Sequence, residues 1–163
     1  MEKRRIYISG KIGEQVISEK TLQKFARAEE MLNGMGHTVI NPTNEYFQFC
    51  MKTDFEIFKT IPCYENILFY DLGWLRTCTA IYLLDDWHDS PGARTERDYA
   101  LATGKKLFFQ ERHHACNYLD EQLRNSWKTG KPLMLPDVGE NDFDCEVRFQ
   151  KAHIKEVWLP IEQ

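Results

Sequence analysis

Residues 5–42, RIYISGKIGEQVISEKTLQKFARAEEMLNGMGHTVINP, decide the fold. Arg5 to Ser9 is a short run rich in Ile and Tyr, which predicts a buried strand. Gly10 follows at once and Gly13 closes a short loop, after which Ser18 offers a helix N-cap. From Thr21 to Leu32, the apolar positions Leu22, Phe25, Ala26, Met31 and Leu32 fall roughly on one helical face. Gly34 and Gly36 end that helix. His37 to Ile40 predicts a second strand, stopped by Asn41-Pro42. This is a βαβ unit of the expected size, and such units are right-handed and build parallel sheets.

The same alternation continues outward. Thr43 to Tyr64 carries six aromatics (Tyr46, Phe47, Phe49, Phe55, Phe58 and Tyr64) and reads as an excursion with one short helix around Asp54 to Lys59. Glu65 to Thr77 predicts a helix and Thr79 to Leu84 a strong strand. Asp85 to Ser90 is a polar loop, and Pro91 suits the first position of a helix that runs to Thr103 and stops at Gly104. Lys105 to Phe109 is a fourth strand. Four rounds of β and α argue a doubly wound parallel sheet. Beyond Gln110 the expectations are a helix over Ala115 to Trp127, a loop over Thr129 to Asp144, and a fifth strand at Val147 to Phe149 or Val157 to Leu159.

Composition narrows the function classes. The chain has 163 residues, enough for one core, with 42% hydrophobic and 28% charged residues. Its net charge is -4, without the basic face that long nucleic acid requires. The five cysteines (Cys50, Cys63, Cys78, Cys116 and Cys145) are odd in number and have no C-x-x-C spacing. Reduced thiols, an opening MEKRRIYISG without a signal-peptide run, and no membrane-length apolar stretch set the expectation of a cytoplasmic protein.

In an open parallel sheet, ligands bind at the carboxyl ends of the strands, at the switch in strand order. That rim carries Ser9, Gly10, Lys11 and Gly13, then Asn41 and Pro42, then Asp85 to Ser90 and the helix start Pro91-Gly92-Ala93. Ser90 is placed to cap that helix, and a helix N-terminus with Ser and Gly suits an anion. Glu96 follows six residues later. The helix dipole is expected to keep its carboxylate ionised, and a positioned carboxylate attacks an anomeric carbon. Other readings stand beside these. Ser caps with a following Glu occur in helices of every function. Asp71 suits a solvated helix surface as well. Asp85, Asp86 and Asp89 fit either a divalent-cation site or a solvated loop. His113, His114 and Cys116 are ligand types without a partner pair at zinc spacing. Trp87 either stacks on a base or covers the sheet end.

Together these segments resemble the nucleoside 2-deoxyribosyltransferases and the related deoxynucleoside 5'-monophosphate N-glycosidases, in a poorly characterised branch of that superfamily. Tyr7-Ile8-Ser9-Gly10 with Lys11-Ile12 is similar to the opening strand and loop. Phe25, Ala28, Leu32, Gly36, Val39, Asn41 and Pro42 fit the next helix and strand. Asp71 to Cys78 with Ala80 to Leu84 fits the D…L..CDAIYLL segment, with Thr79 where the family has aspartate. Trp87, Ser90 to Ala93, Glu96, Ala100 and Gly104 fit W..S.GA..E...A...G. The likeness runs from Arg5 to Phe109. It implies a Rossmann-like, flavodoxin-like three-layer α/β sandwich, with a parallel sheet of four to five strands in the order 2-1-3-4-5. One domain is expected over 1–163, with 110–163 as a C-terminal extension.

The resemblance also implies roles. Glu96 falls at the nucleophile position, Tyr7 where a hydroxyl orients it, and Asp71 where an aspartate contacts the base and helps protonate it. Ser9 and Gly10 line the pocket floor through backbone groups, and Lys11, Asn41, Trp87, Gly92 and Ala93 complete the expected substrate-binding set. Ser90 falls where the transferases tend to have an acid and the monophosphate hydrolases a serine. A carboxylate there would repel phosphate and a hydroxyl would bind it. Arg94 either adds charge or faces solvent. The expected reaction is retaining hydrolysis of a nucleoside 5'-monophosphate, without metal or redox cofactor, in a homo-oligomer whose neighbouring subunit completes the pocket. Base exchange between free deoxynucleosides and a non-catalytic nucleotide sensor are the alternatives. A flavin carrier is disfavoured by a first loop poor in Ser and Thr.

Overall fold

The computed structural model describes residues 2–110, 128–129, 133–134 and 156–157. Strand β1 spans Arg5–Ser9 and helix α1 spans Glu19–Gly34, with the Ser18 side chain accepting from the Thr21 backbone N–H. Strand β2 (Thr38–Ile40) and helices α2 (Glu45–Ile57) and α3 (Tyr64–Arg76) follow. Strand β3 (Ala80–Leu83), a 3-10 turn at Trp87–Asp89, helix α4 (Pro91–Ala102) and strand β4 (Lys106–Phe109) complete the alternation. The sheet is parallel throughout, in the order β2-β1-β3-β4. Tyr7 stands between Ile40 and Ile81, and Ser9 pairs with Leu83.

Because side chains alternate across a strand, β1 feeds two separate cores. Ile6 and Ile8, with Ala80, Tyr82 and Phe108, pack against Phe25, Ala28 and Leu32 of α1. Tyr7, with Ile81, Leu83, Leu107 and Phe109, packs on the other face against Leu75 of α3 and Ala93 and Ala100 of α4. The result is the expected three-layer α/β sandwich. Neighbours of β1 run off in opposite directions, so the strand-order switch lies at the carboxyl ends of β1 and β3.

Three local expectations change. The stretch after Pro42 holds a full helix, α2, rather than one short turn of helix near Asp54. Asn44 caps it by accepting from the Phe47 N–H at 2.8 Å, and Phe47 packs edge-on against Tyr70 of α3. Tyr46, Phe49, Ile57 and Phe58 face outward, so apolar residues surround the helix and hide its 3.6-residue period. Second, Leu133–Met134 forms a strand, β5, within the stretch read as loop. Third, Val157 belongs to strand β6 (Glu156–Val157), which pairs antiparallel with β5 rather than extending the parallel sheet. The expected helix at Ala115 to Trp127 and strand at Val147 to Phe149 lie outside the described residues, as do His113, His114 and Cys116. Among the described residues, no helix is long and apolar enough to cross a membrane.

Candidate active site

The side chains of positions 7, 71 and 96 converge beside the start of α4. Glu96 sits on the second turn of that helix and is almost wholly buried. The Tyr7 hydroxyl donates to its Oε1 at 2.9 Å, and the Ser9 hydroxyl donates to its Oε2. Tyr7 and Ser9 lie two apart on β1, so both reach the same face of the sheet. Asp71 projects from the middle of α3 and is half-buried. A cavity of about 700 Å³ is lined by Asp71 and Glu96 together with Gly10, Ser90, Gly92 and Ala93. That is ample for a nucleotide-sized ligand.

Electrostatics set the site apart. Burial pushes the Glu96 carboxyl up to about 7, against the pull of the Ser9 and Tyr7 hydroxyls, which favour the charged form. This corrects the expectation that the helix dipole keeps Glu96 ionised. The dipole acts mainly within the first turn, Glu96 lies beyond it, and desolvation wins. Burial also holds Asp71 well above the usual carboxylate range, and the charge of Glu96 adds to that. Tyr7 is raised well above 10 by burial and then by Asp71 and Glu96, so it remains a donor at neutral pH.

Ser90 caps α4 by accepting from the Ala93 N–H at 3.2 Å, and Pro91 occupies the first turn. Gly10 is required by close approach. A Cβ there would come within 2.8 Å of the Leu84 Cδ1 and 3.1 Å of the Asp86 Oδ1. At Gly92 a Cβ would lie 3.4 Å from the Tyr64 hydroxyl, which overhangs the helix start.

Four expected binding residues do not line this cavity; the first, Ser9, expected on its floor, is buried and reaches it only through its hydrogen bond to Glu96. Lys11 borders a different groove, of about 1010 Å³ along α1, and its N–H donates to Asp86 at 3.0 Å. The Asn41 amide is spent on the chain turn. Its oxygen accepts from the Thr43 N–H at 2.9 Å and its nitrogen donates to Glu29 at 2.7 Å. Trp87 covers the sheet end, buried against Phe109 with Arg97 over its ring at 4.8 Å. The acidic loop is partly committed as well, since Asp86 pairs with Lys24 at 2.5 Å. Among the described residues, no three His, Cys, Asp or Glu side chains group as metal ligands.

The other wall of the cavity was not anticipated as a site. Met51 and Phe55 of α2, Pro62, and Tyr64, Ile67 and Leu68 of α3 supply it. The only hint was the crowding of aromatics after Tyr46, and their helical arrangement was hidden. The arrangement is suited to a ligand with one apolar, planar portion and one carbon open to attack by a carboxylate. Among curated proteins, none matches the chain. Residues 4–109, which hold the whole parallel sheet and every element around the cavity, match the family described as Domain of unknown function (DUF4406), and the chain belongs to that family.

Proposed function

We propose that the protein is an N-glycosidase that hydrolyses the base–sugar bond of a nucleoside 5'-monophosphate. One observation carries the reading. A buried glutamate with a hydroxyl donor on each oxygen faces a cavity that also holds a second carboxyl group, Asp71, whose hold on its proton is strengthened by burial and by the charge of Glu96. The two carboxyls supply the nucleophile and the proton donor that such chemistry needs. A Glu96 oxygen attacks C1', the C1'–N bond breaks, and its electron pair leaves with the base, whose nitrogen takes the Asp71 proton. Water then attacks C1', gives a proton back to Asp71, and releases the Glu96 carboxylate. Two displacements retain configuration. The Gly92 N–H and the Ser90 hydroxyl at the start of α4 favour a phosphate on the sugar, the Ala93 N–H being taken by the Ser90 cap.

The test is a panel of ribo- and deoxynucleoside 5'-monophosphates beside the free nucleosides, with released base separated by chromatography. Monophosphates are expected to yield base and sugar phosphate, and Glu96→Gln none. Mass spectrometry on a slow substrate is expected to find the sugar on Glu96. Base exchange confined to free nucleosides would instead favour a transferase. Tight binding that survives Glu96→Ala, without base release, would favour a sensor.

The same reading takes the protein as a cytoplasmic homo-oligomer. Phe49, Phe58, Ile61, Tyr64 and Phe69 are 63–76% exposed, and Tyr64 stands at the cavity wall. Exposed apolar groups in such number mark a contact surface. Sedimentation analysis is expected to find a dimer or larger species, and a monomer at working concentration would remove this part of the proposal.

A further inference from the structure

Ser9 is the last residue of β1, with 1% of its surface exposed. A hydroxyl so deeply buried must find a partner, and Ser9 finds the Oε2 of Glu96. Tyr7, two residues earlier on the same face, takes Oε1. The terminal torsion of a glutamate is broad and nearly two-fold, so one donor leaves the carboxylate plane free to swing. A donor on each oxygen removes that freedom. Both donors are hydroxyls on one rigid strand in the centre of the sheet, with β2 and β3 on either side.

We infer that Ser9 is a positioning residue for Glu96: its hydroxyl, opposite that of Tyr7, fixes the carboxylate plane toward the cavity. This goes beyond a backbone role for Ser9 and rests on Glu96 as the nucleophile of the proposed reaction. Tyr7 alone does not suffice, because it serves one oxygen and leaves the other buried without a donor. Among the described residues, Lys52 is the only basic side chain lining this cavity, and it is exposed at the surface of α2. The negative charge of Glu96 therefore depends on hydroxyl donors rather than on a cation.

The experiment follows the titration of Glu96 directly, by carbon NMR of protein labelled at the glutamate Cδ, with Glu96→Gln assigning the signal. In Ser9→Ala the midpoint is expected to rise by about one pH unit, because one hydrogen bond to the charged form is gone. Ser9→Thr, which keeps the hydroxyl, is expected to return it toward the wild-type value. With a nucleotide substrate, Ser9→Ala is expected to lower kcat roughly tenfold with KM held, and to move the acid limb of the pH profile upward. An unmoved Glu96 midpoint in folded Ser9→Ala would overturn the inference, whatever the activity. Absence of base release by the wild type would overturn the glycosidase reading instead, and a raised midpoint beside it would still support Ser9 as the second clamp on the carboxylate.

Discussion

The two faces of the sheet are made by alternate residues of the same strands, but they carry different burdens. Under α1, Ile6, Ile8, Ala80 and Phe108 meet Phe25, Ala28 and Leu32, and this layer gains stability through apolar burial. Under α3 and α4 the strands β3 and β4 are equally apolar along their length, through Ile81, Leu83, Leu107 and Phe109. At the carboxyl end of β1 the pattern breaks. Ser9 replaces an apolar residue on β1, and Glu96 is buried opposite it. Burying a carboxyl costs stability unless donors meet it, and here two hydroxyls offset only part of that cost. The raised proton affinity of Glu96 measures what is left. One face holds the fold together, and the other gives up some stability to keep a poised carboxyl beside a cavity.

Substitutions sharpen this contrast in order of size. Glu96→Gln is expected to abolish base release, by ~10⁴-fold or more in kcat, while the protein stays folded. A steady-state assay beside thermal melting checks both halves. Phe25→Ala, on the other face, is expected to do the reverse. It should cost roughly 3–5 kcal/mol in urea titrations and leave the KM of the surviving folded enzyme unchanged. Equal damage to both properties in both variants would dissolve the distinction between the faces.

Tyr7→Phe removes one donor without removing the ring. It is expected to lower kcat about 10- to 100-fold, with stability changed by less than Phe25→Ala. The most gradual effect, spread over the pH window from about 4.5 to about 7, is in the pH dependence of stability. Glu96 binds its proton more tightly folded, at about 7, than at its ordinary 4.5. The folded state therefore holds more protons between these values. The stabilising contribution is full below about 4.5 and is lost as pH rises through about 7, on the order of 3 kcal/mol. Melting temperatures of wild type are expected to fall across that window, and those of Glu96→Gln to fall less. Parallel slopes would show that Glu96 is not the buried proton holder. The activity profile has the opposite sign at its acid limb: base release should rise with pH near 7 as Glu96 ionises.

Much of the fold was legible in the chain because its signals are local. The Ser18 and Ser90 caps, the Pro91 start and the strand patterns of β1 and β3 are read within a few residues, and each lies where the structure has it. Helix α2 was not legible, because aromatics on every side erased its period. The site divides in the same way. The strand-end rule points to the rim, but Tyr7, Asp71 and Glu96 were selected through a resemblance, and they converge because α3 and α4 pack on the same face of β1. Lys11, Asn41 and Trp87 satisfied that rule by position in the chain, but their side chains are committed elsewhere. Position at a strand end does not tell which way a residue turns once the loop has folded.

By itself the sequence determined the alternation of strands and helices and the rim at which chemistry concentrates, since these depend on periodicity, caps and residue type, whereas the two carboxyls were singled out only through the resemblance. Only the tertiary structure decided that Ser9 and Tyr7 share Glu96, that burial outweighs the helix dipole there, and that α2 and α3 wall the cavity. Those outcomes depend on distances between residues up to 89 positions apart and on the exclusion of water around them, which no local pattern encodes.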